Sequence, residues 1–216
     1  MDANVVLFDM DGVLVDSEQY WHAFEDDWVF AEAIESGDPA HEEITGMNFR
    51  EIYHYLDEAY GTTVTKEEFV AAYEENSKDV YGENVVLMDG AEELFSDLRA
   101  AGKKVAIVSS APQGWISVVR ERFSLDPLDL VLSADDIDDP GKPEPHIYET
   151  AAEQLGVAPE DCVVVEDSVN GIESAARSGA HTIAYRVDHN RELDLSQADQ
   201  IVDGPEELRA ALLGEN

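Results

Sequence analysis

Short apolar runs that break off at a polar or acidic residue recur along this chain, and they leave few folds open to it. Segments 5–8, 104–109, 130–132, 162–166, 181–185 and 200–202 have the length and β-branched character of strands buried on both faces. Between and after the later runs, apolar residues recur at helical spacing over 90–101, 113–123, 145–155, 169–179 and 205–213. Alternation of this kind predicts an α/β chain built on a doubly wound parallel sheet.

One stretch departs from the alternation. Residues 17 to about 86 carry only helical patterns: 17–35, with Ser17 as N-cap and Trp21, Phe24, Trp28 and Ala31 along one face; 49–60; and 65–81, where Thr65 and Glu68 have capping-box spacing. Gly37, Asp38 and Pro39 stop the first of them. The expectation is a small α-helical cap, 17–86, inserted after the first strand of a core made of 1–16 and 87–216. Its hinges would fall at 15–17 and 83–89.

The strand ends carry the chemistry. In an open parallel sheet ligands bind at the carboxyl ends of the strands. The first strand delivers Asp9 and, one pleat further on, Asp11, before Gly12 turns the backbone. An Asp-x-Asp-Gly surface turn would look the same when read alone. The second strand, however, ends in Ser109 and Ser110, the 162–166 strand in Glu166, Asp167 and Ser168, and Lys142 sits in a Gly141-Lys142-Pro143 turn between them. Both Ser109-Ser110 and Asp167-Ser168 could equally cap the helices that follow them. Acidic clusters facing each other repel unless a cation lies between, and an all-oxygen set suits Mg²⁺ rather than zinc. Lysine and hydroxyls beside such an ion supply what a phosphoryl group needs.

Composition narrows the setting. The formal charge is −36, with 49 acidic residues against 13 basic ones spread over the whole length. Dispersed acid on an otherwise globular composition fits a surface adapted to high salt, as in the cytosol of a halophile, and it argues against nucleic acid as a partner. No apolar stretch approaches the roughly 18 residues of a membrane span, and no basic segment followed by an apolar run opens the chain. A cytoplasmic monomer acting on a small molecule, with no membrane partner, is expected. The single cysteine, Cys162, falls inside an apolar run and reads as a small core residue.

The order Asp9-Met10-Asp11-Gly12, Ser109 after an apolar strand, Lys142 in Gly-Lys-Pro-Glu-Pro, and Glu166-Asp167 with Asn170-Gly171 behind resembles the haloacid dehalogenase-like superfamily of phosphohydrolases. The run from Asp9 to Glu18 is similar to its β-phosphoglucomutase and sugar-phosphate phosphatase branch. The resemblance implies a Rossmann-like core and a helical cap. It implies Asp9 as the nucleophile that becomes an aspartyl phosphate, and Asp11 as the acid and base. It implies Mg²⁺ on Asp9, the Asp11 carbonyl and Asp167, with Glu166 direct or through water. Ser109, Lys142 and amides near Met10, Asp11 and Ser110 would hold the phosphoryl oxygens.

The cap would choose the substrate. Arg50, the one arginine between 17 and 86, sits where the resemblance places a substrate loop, and it could hold a second phosphate or sugar hydroxyls, or simply pair with a nearby acid in solvent. Trp21 stands where the mutases resemble one another in having histidine, and it could border the substrate. The loop that carries Arg50 is one residue longer than in the mutases, and these two departures favour a Mg²⁺-dependent phosphomonoester hydrolase of sugar phosphates over a β-phosphoglucomutase-type mutase. A phosphoryl-accepting signalling receiver is the distant alternative; such domains place their acidic pair and acceptor in another order and carry no helical insertion.

Overall fold

A computed structural model describes residues 4–214. Six strands, β1 (Val5–Phe8), β2 (Lys104–Ser109), β3 (Leu130–Ser133), β4 (Cys162–Glu166), β5 (His181–Arg186) and β6 (Gln200–Asp203), form one parallel sheet in the order β3-β2-β1-β4-β5-β6. β1 lies at the centre: Leu7 is in register with Ala106 of β2 on one side and with Val164 of β4 on the other. The winding reverses between β1 and β4, so the crevice beyond their carboxyl ends is the natural ligand position. Asp9, Glu166 and Asp167 leave the sheet at that point.

From β1 the chain enters the helical block, α1 (Glu18–Phe24), α2 (Phe49–Tyr60) and α3 (Lys66–Asp79), and returns to the sheet only after α4 (Ala91–Ala100). α5 (Gln113–Phe123), α6 (His146–Leu155), α7 (Val169–Ser178) and α8 (Gly204–Leu213) follow the later strands. The sheet is covered on both faces because alternate strand residues point opposite ways. Val6, Phe8, Val105, Ile107 and Val163 join Leu94, Phe95, Ile116 and Leu208 of α4, α5 and α8 on one side. Val5, Leu7, Ala106 and Val164 join Ile147, Tyr148, Ala151 and Ala175 of α6 and α7 on the other. Cys162 is buried in this second layer, and burial pushes its thiol up to about 11, as an inert core residue requires.

Two features of the inserted block depart from the sequence reading. Its first helix continues past Phe24 as a stretch of wider, i→i+5 turns over Glu25–Ala33, and α3 likewise widens over Val80–Asn84. Ser17 is not an N-cap: its backbone is already helical and its hydroxyl makes no capping bond. The Thr65–Glu68 capping box is present, with Thr65 N donating to the Glu68 carboxylate at 2.9 Å. The two passages between block and sheet run side by side, with Met88 N donating to Leu14 O at 2.8 Å and Val86 N to Asp16 Oδ1 at 2.5 Å.

Candidate active site

The strand ends meet as the topology requires. Asp9 lies just beyond β1, and Lys142 Nζ donates to Asp9 Oδ1 and Glu166 Oε1, each at 2.6 Å. Glu166 ends β4 and is saturated with donors. Its Oε1 also accepts from the Tyr148 hydroxyl at 2.7 Å, and its Oε2 from Asp167 N at 3.0 Å and Ser168 Oγ at 3.2 Å. Asp167 Oδ2 lies 2.6 Å from His189 Nε2, on the loop after β5. Ser168 caps α7, accepting from Gly171 N at 3.0 Å, so the capping reading holds for this serine while its two acidic neighbours turn into the site.

Three buried carboxyls, Asp9, Glu166 and Asp167, with the half-buried Asp11 nearby, thus gather around one lysine, which bonds Asp9 and Glu166. Burial drives Asp9 well above the ordinary carboxyl range; Lys142 partly offsets it, and the neighbouring acids push it up again. Asp167 is raised for the same first reason, partly offset by His189. Burial alone would discharge Lys142, but Asp9 and Glu166 beside it hold its proton more firmly than usual. Asp9, Glu166 and Asp167 each offer an oxygen within 4.8 Å of the others. This excess of buried negative charge on hard oxygen donors fits a divalent cation such as Mg²⁺. The fit is close at Gly12, whose φ is +73° and where a Cβ would lie 1.9 Å from Asp167 Oδ2.

Asp11 faces the other way, toward the helical block. The hydroxyls of Ser17 and Tyr81 both donate to its Oδ1 at 2.6 Å, and Trp21 Nε1 donates in turn to the Tyr81 oxygen at 3.1 Å. Burial raises Asp11 while these two donors pull it back. Ser17 and Tyr81 lie at the two ends of the inserted block, so both of its passages close on one carboxylate. Sequence reasoning missed this. A serine before a helix reads as a cap and a tyrosine in an apolar stripe reads as core.

Ser109 and Ser110 also border the site, and neither caps α5. Ser109 Oγ accepts from Ala111 N at 3.0 Å, which leaves its proton free to be donated. Ser110 Oγ donates to Gly46 O at 2.7 Å and Ser110 O accepts from Asn48 Nδ2 at 2.9 Å, tying the β2 end to the helical block.

A cavity of about 70 Å³ lies between the strand ends and the block, reaching from Asp9, Asp11 and Ser109 to Trp21, Phe49 and Tyr73. Arg50 is not on its wall: its guanidinium pairs with Asp135 Oδ1 at 2.7 Å and is 38% exposed. The solvated, acid-paired reading of Arg50 is therefore the one that the geometry matches. Trp21 does line the cavity, and so do two acids the sequence did not single out, Glu18 and Glu25.

With this geometry in hand, similarity to known proteins is informative. Over 191 residues the chain is 34% identical to the phosphorylated carbohydrates phosphatase of Thermotoga maritima, covering 86% of this chain and 85% of that one. Hexitol phosphatase A of Escherichia coli is 31% identical over 194 residues, 82% of this chain and 81% of its own. Among solved structures, CbbY from Rhodobacter sphaeroides in complex with phosphate superposes with a TM-score of 0.76 at 23% identity over 93% of each chain. Residues 3–179 match the family described as haloacid dehalogenase-like hydrolase, and the chain belongs to that family.

Proposed function

We propose that the protein is a Mg²⁺-dependent phosphomonoester hydrolase of small phosphorylated metabolites, sugar phosphates above all. In this reading it works through an aspartyl phosphate on Asp9, as a monomer in a salt-rich cytosol. Residues 17–86 act as a cap over a core of 1–16 and 87–216. The observation that carries the reading is the division of labour between two carboxyls two residues apart. Asp9 is held by Lys142 at the sheet edge and Asp11 by two hydroxyls at the ends of the cap. Carboxyls in such different surroundings can take different roles in one reaction.

Asp9 attacks phosphorus, so that an Asp9–phosphorus bond forms as the bond to the ester oxygen breaks. Asp11 gives its proton to the departing alcohol oxygen and then takes one from the water that attacks phosphorus, releasing phosphate and restoring Asp9. Lys142 and the free Ser109 proton steady the phosphoryl oxygens, with Ser110 anchoring the loop that carries them. Asp9, the Asp11 carbonyl and Asp167 would hold Mg²⁺, with Glu166 behind them, and the bound ion would supply positive charge against the phosphoryl oxygens.

The cavity has room for only a handful of waters, so a phosphorylated sugar enters when the cap swings at 15–17 and 83–89. A mutase needs a cation in the cap to hold a second phosphate, and Arg50 is engaged elsewhere. The test is hydrolysis of para-nitrophenyl phosphate and a panel of sugar phosphates, with and without EDTA, by the wild type and by Asp9→Asn. Metal-dependent turnover that Asp9→Asn abolishes is expected. Turnover insensitive to EDTA, or retained by Asp9→Asn, would contradict the reading.

A further inference from the structure

The aromatic wall of the cavity is unusual in what it holds and in what it lacks. Trp21, Phe49, Tyr73 and Trp115 form a ring of four near-parallel aromatic side chains. Trp21 stacks on Tyr73 and Trp115, and Phe49 on the same two, with centroids 5.0 to 5.5 Å apart. Against these rings lie two buried acids, Glu18 at 7% and Glu25 at 5% exposure. Burial pushes the Glu18 carboxyl well above the ordinary range, and the charges of Asp167, Asp11 and Glu25 push it further. No lysine or arginine lines the cavity among the described residues.

The two acids differ in what answers them. Glu25 Oε2 is paired with His41 Nδ1 at 2.7 Å. Glu18 has only His22 Nε2 at 3.5 Å, and that nitrogen is buried without a hydrogen bond. The Tyr73 hydroxyl, in a residue 3% exposed, has the Glu25 carboxyl beside it while its ring lines the cavity. A buried carboxylate without a cation or donor is costly. The missing partner must therefore bring hydrogen-bond donors, preferably with positive charge. A protonated amine satisfies the carboxylate and is attracted to the faces of the rings. A second phosphate or a carboxylate would meet Glu18 and Glu25 with like charge and nothing to neutralise it.

We propose that the cap end of this cavity selects phosphomonoesters whose alcohol part carries a protonated amine, accepts neutral polyhydroxy esters less well, and rejects esters with a second acidic group. Glu18 and Glu25 set the preference. The inference rests on the phosphomonoester hydrolase reading, because it assigns the phosphoryl group to Asp9 and the alcohol part to the cap. It also goes beyond that reading, which leaves the charge of the alcohol part open.

The experiment compares kcat/KM of the full-length protein, loaded with Mg²⁺, on glucosamine 6-phosphate, glucose 6-phosphate and 6-phosphogluconate, with para-nitrophenyl phosphate as the reference ester. The expected order is glucosamine 6-phosphate, then glucose 6-phosphate, then 6-phosphogluconate, with at least tenfold between first and last. Glu18→Gln should shrink that ratio by severalfold, chiefly through KM for the amine ester, with each value normalised to para-nitrophenyl phosphate because Glu18 also acts on the acids of the strand ends. Para-nitrophenyl phosphate turned over while 6-phosphogluconate matches glucosamine 6-phosphate would overturn this inference and leave the phosphatase reading standing. So would a ratio unchanged in Glu18→Gln. Absence of turnover on every ester, the reference included, would overturn the phosphatase reading and this inference with it.

Discussion

Asp11 accepts two hydroxyl donors on the same oxygen, one from Ser17 as the chain enters the cap and one from Tyr81 as it leaves. In the proposed mechanism, a carboxyl so held has its orientation fixed only when both ends of the inserted block are seated, which would couple proton transfer to closure. Tyr81→Phe and Ser17→Ala should each lower kcat on para-nitrophenyl phosphate about tenfold, the cost of one hydrogen bond to a charged group, with folding intact by circular dichroism. Unchanged kcat in both would show that Asp11 needs neither donor. The residues that the sequence made legible, Asp9, Asp11, Ser109, Lys142, Glu166 and Asp167, are those that follow a strand or an abrupt turn, where an apolar run stops at charge. Ser17 and Tyr81 were not legible because helix starts and core stripes use the same residue types. Tyr81 lies 70 positions from its partner. Arg50 carried two readings, since its neighbours in sequence suggested a substrate loop or a solvated pair, and its bond to Asp135, 85 positions away, matches the second.

At the scale of elements, period and strand ends were enough to predict a parallel, doubly wound sheet, because each strand is buried on both faces and each helix on one. The widened turns over Glu25–Ala33 and Val80–Asn84 left no trace in the sequence. Whether a turn closes on i+4 or i+5 is decided by what packs against it, and each of these stretches brings a side chain, Glu25 or Tyr81, to the cavity wall. The turn after β1 has a sharper requirement. Gly12→Ala would place a Cβ 1.9 Å from Asp167 Oδ2 on a left-handed backbone, costing on the order of 1–3 kcal/mol in strain before Asp167 moves. A lowered melting temperature and lost Mg²⁺-dependent turnover are expected, and a variant matching wild type in both would contradict the geometry.

α1 carries a pH signature. His22 is pushed down to about 4, first by burial and then by His41 and His189, with Asp26 opposing. The unfolded chain therefore takes up a proton near the ordinary histidine value of about 6.5 that the folded chain refuses. The contribution of neutral His22 is fully present above that value and is lost as pH falls toward 4. His22→Gln should flatten the melting temperature against pH across that window; an unaltered slope would show that His22 is not the group refusing the proton.

For the whole molecule the dominant fact is a charge of −36. Repulsion among dispersed surface acids weakens as the screening length falls from about 10 Å at 0.1 M salt to about 3 Å at 1 M. The melting temperature should rise over that range of KCl, and a flat or falling curve would contradict a surface matched to salt. The buried site is screened far less, so its chemistry is set by the residues within it. Whether Asp9 is the nucleophile is decided most directly by quenching the enzyme in acid during turnover of a phosphomonoester and mapping the phosphorylated peptide by mass spectrometry. The peptide containing Asp9 should gain the mass of one phosphoryl group, and Asp9→Asn should show no such gain. Full turnover with no phosphorylated peptide, or with the phosphoryl group on another residue, would contradict the account.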